Sequence, residues 1–204
     1  MGFVSGTANF SRYRVEGSPP DDYFERYPER IAQHAFRGIN ENSLDERSAG
    51  WVDIMDNFNS RFGGMEFFRE PYIALSFRLD VKRVPPKALK QYCRQAELEV
   101  MASEELQYLT KGRKQDIKDA VSGTLLKRVL PVSNTYDMLW NLQTGALLFG
   151  CVQSKICDEF TEFFHNTFGL FLTAVIPYSL ACLALEKGGK NPNLIEGISP
   201  TKFL

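Results

Sequence analysis

Nine cationic side chains have the type and spacing to meet a phosphate polymer: Lys87, Lys90, Arg94, Lys111, Arg113, Lys114, Lys118, Lys127 and Arg128. The chemistry in view is displacement of counterions condensed on phosphates, which needs positive charge and makes no bond. A second group could break one. Leu79-Asp80-Val81-Lys82 ends an apolar run with an acid-x-lysine spacing, and Glu66 or Glu70 could add a carboxylate upstream. Clustered carboxylates of this kind hold the one or two divalent metals of a nuclease. Each group also has a plainer reading. Asp80 would then be a strand-end carboxylate paired with a nearby Lys or Arg. The cations would be the surface of a solvated helical hairpin, in which Glu99, Glu104 and Glu105 show that the charge is not uniform.

The distribution of charge favours the first reading of the cations. From Arg78 to Arg128 twelve Lys/Arg stand against seven Asp/Glu, a net +5, while the remaining twelve Lys/Arg stand against eighteen Asp/Glu, a net −6. The chain total of −1 therefore hides a basic segment and an acidic remainder. Such segregation points to a polyanion met by the one and avoided by the other.

Two helices must position these cations. Pro85 and Pro86 close the preceding strand and suit the first turn of a helix. Leu89, Tyr92, Cys93, Ala96 and Val100 recur at helical spacing, and Leu98, Ala102, Leu106 and Leu109 extend the stripe with a small rotation. Thr110-Lys111-Gly112 predicts a turn with Gly112 at positive φ. The second helix would carry Ile117, Ala120, Val121, Thr124 and Leu125 inward and end at Pro131. Lys87, Lys90 and Arg94 then share one ridge, and Lys114 and Lys118 are i, i+4 neighbours that repel unless an anion neutralises them.

Around this hairpin the pattern alternates strand and helix. Thr7 to Val15 alternates as a strand, with Ser11, Tyr13 and Val15 on one face. Asp21 or Asp22 can cap a helix over Tyr23 to Phe36, in which Pro28 predicts a kink or a later start and Gly38 the end. That helix presents Phe24, Tyr27, Ile31 and Ala35 on one side. Asn40 to Ala49 reads as loop, Gly50-Trp51-Val52 as a short strand or turn, and Phe58 to Gly64 as loop. A strand lies within Glu66 to Asp80. Beyond the hairpin, Asp137 to Leu142 and Ala146 to Val152 form a β-hairpin about Gln143-Thr144-Gly145. Ser154 would cap a helix facing inward with Ile156, Phe160, Phe163, Phe164 and Phe168, with Asp158, Glu159 and Glu162 near its start and Gly169 as its stop. Leu170 to Ile176 is a strand, Tyr178 to Lys187 a last core helix, and Gly188 to Leu204 irregular. The fold class expected is α+β, mostly antiparallel sheet with packed helices and an inserted basic helical hairpin. The expected divisions are an N-terminal half at 1–80, the hairpin at 81–131, a C-terminal half at 132–187 and a tail at 188–204.

Composition excludes several classes. With 44% hydrophobic and 24% charged residues the chain is an ordinary globular one. Its four cysteines, Cys93, Cys151, Cys157 and Cys182, show no CxxC and lie among apolar residues, which predicts buried free thiols in a reducing compartment. His34 and His165 sit apart, each with a structural or surface role. There is no GxxxxGK(S/T), GxGxxG, GxSxG or HExxH, so phosphate-loop, dinucleotide, hydrolase-elbow and zincin chemistry find no support, and no cofactor is expected. Met1-Gly2-Phe3 lacks the basic start of a secretory leader and the myristoylation pattern is incomplete. The apolar run Leu170 to Leu185 is broken by Pro177 and short for a membrane span.

The chain resembles the RdgC family of bacterial recombination-associated proteins. The residues that carry the resemblance occur in order from about Thr7 to Tyr178. They are Gly50-Trp51-Val52; Phe77-Arg78 with Lys82 and Pro85; Glu97 and Leu98; Lys114, Val121 and Leu125-Leu126 before Leu130-Pro131; Trp140, Gly145 and Ser154-Lys155; and Phe168-Gly169-Leu170 with Val175-Ile176-Pro177. The resemblance implies a sequence-independent binder of double-stranded DNA, a ring-shaped homodimer with a basic central channel. It also implies a cytoplasmic place at the bacterial nucleoid and a RecA-type recombinase as protein partner. On that analogy the hairpin projects from the body and carries much of the DNA contact, and there is no catalysis, although an older family label is exonuclease. Relatives continue well past the equivalent of Tyr178, so a short or C-terminally truncated form is expected here. Two other functions stay open: a metal-dependent nuclease using Asp80 and Lys82, and a protein-interaction module whose basic hairpin meets an acidic partner.

Overall fold

The structure is a computed structural model that describes residues 2–3, 9–40 and 43–197. Thr7 and Ala8 of the expected first strand, Glu41 and Asn42 of the expected loop, and residues 198–204 of the tail lie outside the described residues.

Alternating polarity produces the first strand, β1 (Ser11–Glu16), with Tyr13 and Val15 buried between exposed neighbours. Helix α1 (Tyr23–Gln33) follows, burying Tyr27 and Ile31, and runs through Pro28 without the later start the proline suggests. Asp22 is its N-cap residue, and its side chain makes no capping bond. The helix ends at Gln33 rather than near Gly38, because the His34 carbonyl is taken by the Trp51 N–H (3.0 Å) and Ala35 forms a parallel bridge with Trp51. Strand β2 (Arg47–Asp53) consequently starts earlier than Gly50. Strands β3 (Phe68–Arg69) and β4 (Tyr72–Val81) come next, the latter apolar nearly throughout. Two helices, α2 (Pro86–Ser103) and α3 (Lys111–Arg128), precede β5 (Val132–Asn141), β6 (Ala146–Phe149), α4 (Ser154–Phe168), β7 (Phe171–Ala174) and α5 (Pro177–Lys187). A short 3₁₀ segment, Pro192–Gly197, packs on α5.

The seven strands form one sheet in the order β2-β4-β5-β6-β1-β7, with β3 paired to β4, and the class is the expected α+β. The β5–β6 hairpin turns at Gly145, whose φ of +69° is open to glycine at no steric cost. Its antiparallel register sets Met138 opposite Phe149, and β1 lies along the far side of β6 with Tyr13 opposite Leu147.

The chain divides into two compact units, and the divisions fall just after α1 and within β2, β4 and β5. The first comprises Met1–Ala35, Trp51–Phe77 and Tyr136–Leu204. Its core is aromatic and is organised by α4. Phe160 lies flat on Phe149 (ring centroids 3.7 Å apart), while Trp51 meets Phe77, Phe160, Phe163 and Phe168. Periodicity missed one inward member of α4, Thr167. Its hydroxyl accepts the Trp51 indole N–H at 3.0 Å and donates to the Phe163 carbonyl at 2.9 Å, which satisfies two buried polar groups at once. Ser154 is the first helical residue and not the cap, which is Gln153. Asp158, Glu159 and Glu162 lie beyond the first turn. Gly169 stops the helix at φ +72°, as expected of a left-handed terminal residue. Helix α5, expected as a core helix, buries no residue. No helix among the described residues is long and apolar enough to cross a membrane.

The second unit comprises Phe36–Gly50 and Arg78–Thr135. It holds the α2–α3 hairpin and the ends of β4 and β5 that lead into and out of it. Of the four free thiols only Cys151 is buried; Cys93, Cys157 and Cys182 are half-buried.

Truncating Phe160 to Ala removes the ring on which Phe149 stacks, and unfolding in urea should show a loss of about 3–5 kcal/mol. Tyr27 titrates against burial, which pushes its phenol well above the ordinary 10.0, with Arg30 and Arg26 opposing. The folded protein therefore holds the Tyr27 proton more tightly than the unfolded chain does. That contribution is complete below pH 10.0 and is lost as the pH climbs above it. Urea midpoints measured upward from that pH should fall, and fall less in Tyr27→Phe.

Candidate nucleic-acid interface

The hairpin is built differently from the body that α4 organises. Pro86 is the first residue of α2, where its missing N–H costs nothing, and Pro85 precedes it as the N-cap residue. The helix ends at Ser103, a turn and a half before the expected stripe runs out. Leu106 and Leu109 therefore lie outside it. The left-handed residue of the connection is Glu105 (φ +52°) and not Gly112. Gly112 sits in the first turn of α3, because Thr110 is a better N-cap than a turn residue: its hydroxyl accepts the Arg113 N–H. Along α3 the buried residues are Ile117 and Leu126; Val121 and Leu125 are half-buried, and Ala120 and Thr124, expected inward, are exposed. In α2 no residue is fully buried. The two helices pack on each other, and most residues of both are exposed.

All nine predicted cations are exposed on this hairpin, Lys87, Lys90 and Arg94 on α2 and the other six on α3. Arg113 is the exception in pairing, with its guanidinium 2.6 Å from Glu104 Oε1. Among the described residues none of the other eight makes an ion pair. Two of the hairpin's acids take amide partners instead: Gln95 Nε2 donates to Glu99 at 3.0 Å and Gln115 Nε2 to Asp119 at 2.8 Å. Apart from Arg113–Glu104, ion pairs that could have quenched the nine cations are not made among the described residues.

The two helices enclose a groove on either side of their seam. The larger, about 560 Å³, has Leu89 and Cys93 as its floor and Lys90, Arg94, Lys118 and Glu97 at its edges. It brings the basic ridge of α2 together with one member of the Lys114–Lys118 pair. The other groove, about 240 Å³, is lined by Tyr92, Ala96, Val121 and Leu125, with Arg128 at its rim. Lys87, Lys111, Lys114 and Lys127 line neither. Glu97 was not singled out from sequence as a site residue, although its place three residues after Arg94 put it on the same ridge.

The acid-x-lysine pair is engaged otherwise. Asp80 is buried and accepts two hydrogen bonds from Arg78, Nε at 2.9 Å and Nη2 at 3.0 Å. Arg78 also lies over the Phe36 ring at 4.2 Å and donates to Ser133 Oγ at 3.1 Å. Lys82 is buried as well, and its ammonium donates to the Asn40 carbonyl at 3.3 Å. Glu66 accepts from the Gly64 N–H at 3.0 Å. Among the described residues no group of three or more His, Cys, Asp or Glu could hold a metal ion. The plain reading of Asp80, a strand carboxylate held by a neighbouring arginine, is the arrangement found. Replacing Asp80 with Ala strands a guanidinium that is largely buried, so thermal or urea unfolding should register a loss of about 3 kcal/mol or more.

With this geometry in place, comparison with known proteins adds one finding. The family model described as "Putative exonuclease, RdgC" matches residues 8–182 of the 204. A search of curated proteins finds no match to the chain. The matched span takes in the whole hairpin together with the strands that lead into and out of it. The chain belongs to the RdgC family of recombination-associated proteins.

Proposed function

We propose that this protein binds double-stranded DNA without regard to sequence and thereby modulates recombination by a RecA-type recombinase, performing no catalysis itself. The observation that carries the reading is the hairpin's surface: nine exposed cations, eight of them without a carboxylate partner among the described residues. Unpaired surface cations repel one another, and a polyanion that spans them relieves the repulsion while releasing its own counterions. On this reading the cations meet phosphate and sugar, a contact that carries no sequence information. The acidic remainder of the chain (net −6) discourages the polymer from binding elsewhere. The resemblance to the family adds a homodimer, acting at the bacterial nucleoid, as the assembly that goes with this reading.

Binding of random-sequence duplexes, followed by fluorescence anisotropy at two salt concentrations, tests it. Affinity should fall steeply with salt. Changing Lys90, Arg94 and Lys118 together to Glu should weaken binding equally for all sequences and lower the salt slope by about 3. Absence of binding to any duplex at low salt would sink the proposal. The family's exonuclease label supplies the second reading, and its test is separate: loss of labelled DNA ends that requires magnesium or manganese and stops on chelation would favour a nuclease.

A further inference from the structure

The first unit contains a second chemical feature, unrelated to the hairpin. Cys151 follows strand β6 and is only 6% exposed, while Cys157 lies in the first turns of α4 and is half-buried. The Cys157 side chain lies against Cys151. The Cys157 thiol also points at the Cys151 carbonyl, Sγ to O 3.5 Å. Ser11 on β1 completes the cluster: its hydroxyl donates to the same carbonyl at 2.7 Å and lies 3.6 Å from Cys157 Sγ. The Gln153 N–H points at Cys151 Sγ at 3.4 Å. Cys93 and Cys182, by contrast, sit on α2 and α5 with no second thiol in contact among the described residues.

We propose that Cys151 and Cys157 form an oxidation-sensitive dithiol, Cys157 being the thiol that a peroxide reaches and Cys151 the one that resolves it. Sulfur of Cys157 attacks one peroxide oxygen; the O–O bond breaks, water leaves, and the sulfur, oxidised by two electrons, becomes a sulfenic acid. Sulfur of Cys151 then attacks that sulfur. The S–O bond breaks, the Cys151 proton goes to the departing hydroxide as water, and an S–S bond remains. Accessibility assigns the order, since Cys157 is the more exposed of the two, and the seat of its sulfur against the Cys151 carbonyl keeps the second step within one molecule. The link would fasten the end of β6 to the start of α4, which carry Phe149 and Phe160 respectively.

Treating the full-length protein with hydrogen peroxide tests this directly. The intact mass should fall by two hydrogens. Trypsin cuts after Lys155, between the two cysteines, so their peptides should be recovered joined until reduced. Cys157→Ser should abolish the link, and Cys151→Ser should leave a sulfenic acid on Cys157 that a dimedone probe captures. Either of two results on the unsubstituted chain overturns the proposal, whatever the variants do. One is Cys151 and Cys157 both remaining open to alkylation after Cys93 or Cys182 has been oxidised. The other is Cys157 proceeding to sulfinic acid with no link formed.

Discussion

Phe160 lying face to face on Phe149 is the contact on which the first unit rests, because it joins helix α4 to the middle of the sheet. From that stack the aromatic contacts spread through Phe77 and Trp51 on one side and Phe164, Phe168, Trp140 and Tyr27 on the other. Large rings at helical spacing can do this only if something holds the facing strands in register. The antiparallel ladders of β1, β6 and β5 do so, and Trp51 ties the end of α1 and helix α4 together, its backbone N–H engaged with His34 and its indole with Thr167. Helix α4 therefore buries an inner face of four large apolar residues and a threonine, and its position is set by packing in the usual way.

The hairpin obeys a different constraint. A helix with a single neighbour can hide one narrow stripe, and neither α2 nor α3 has more apolar surface covered than that stripe allows. Most of the residues on these helices are thus free of any structural duty, and the distribution of charge on them calls for its own explanation. Like charges at i, i+4 on an exposed helix cost a few tenths of a kcal/mol per pair, an expense with no folding return. The amide partners of Glu99 and Asp119 sharpen the point, since either acid could have faced a lysine instead. A surface held away from internal neutralisation is what a polyanion-binding element requires.

Much of this was legible from spacing alone, and the misses share a cause. Glycines whose backbone turns left-handed, Gly145 and Gly169, were readable because one lies in the joint between two apolar runs and the other directly ends one. Gly112 was misread because a glycine after a polar pair looks like a turn, while Thr110 two residues earlier offers the helix an oxygen for its orphan N–H. Leu106 and Leu109 continued a stripe on paper after the helix had stopped at Ser103. Ser154 was misplaced by one residue, the usual uncertainty at a helix end. Thr167 escaped because hydrophobic periodicity has no way of registering a hydroxyl whose value lies in one indole N–H across the core. In each case the deciding partner was distant in sequence or depended on where a helix actually began.

Asp80 shows how far spacing can be trusted for chemistry. Residues 78 and 80 share one face of β4 and Lys82 follows directly after its end, so Asp80 could pair with either cation on sequence alone. What selects among them is the shape of the arginine. A planar guanidinium reaches both oxygens of a carboxylate at once, while its flat face lies over the Phe36 ring, a combination an ammonium cannot reproduce. Lys82 is left to a backbone carbonyl. The same two residues that a two-letter motif joins are therefore separated by the partner each finds, and the carboxylate is committed to holding the strand that leads into the hairpin.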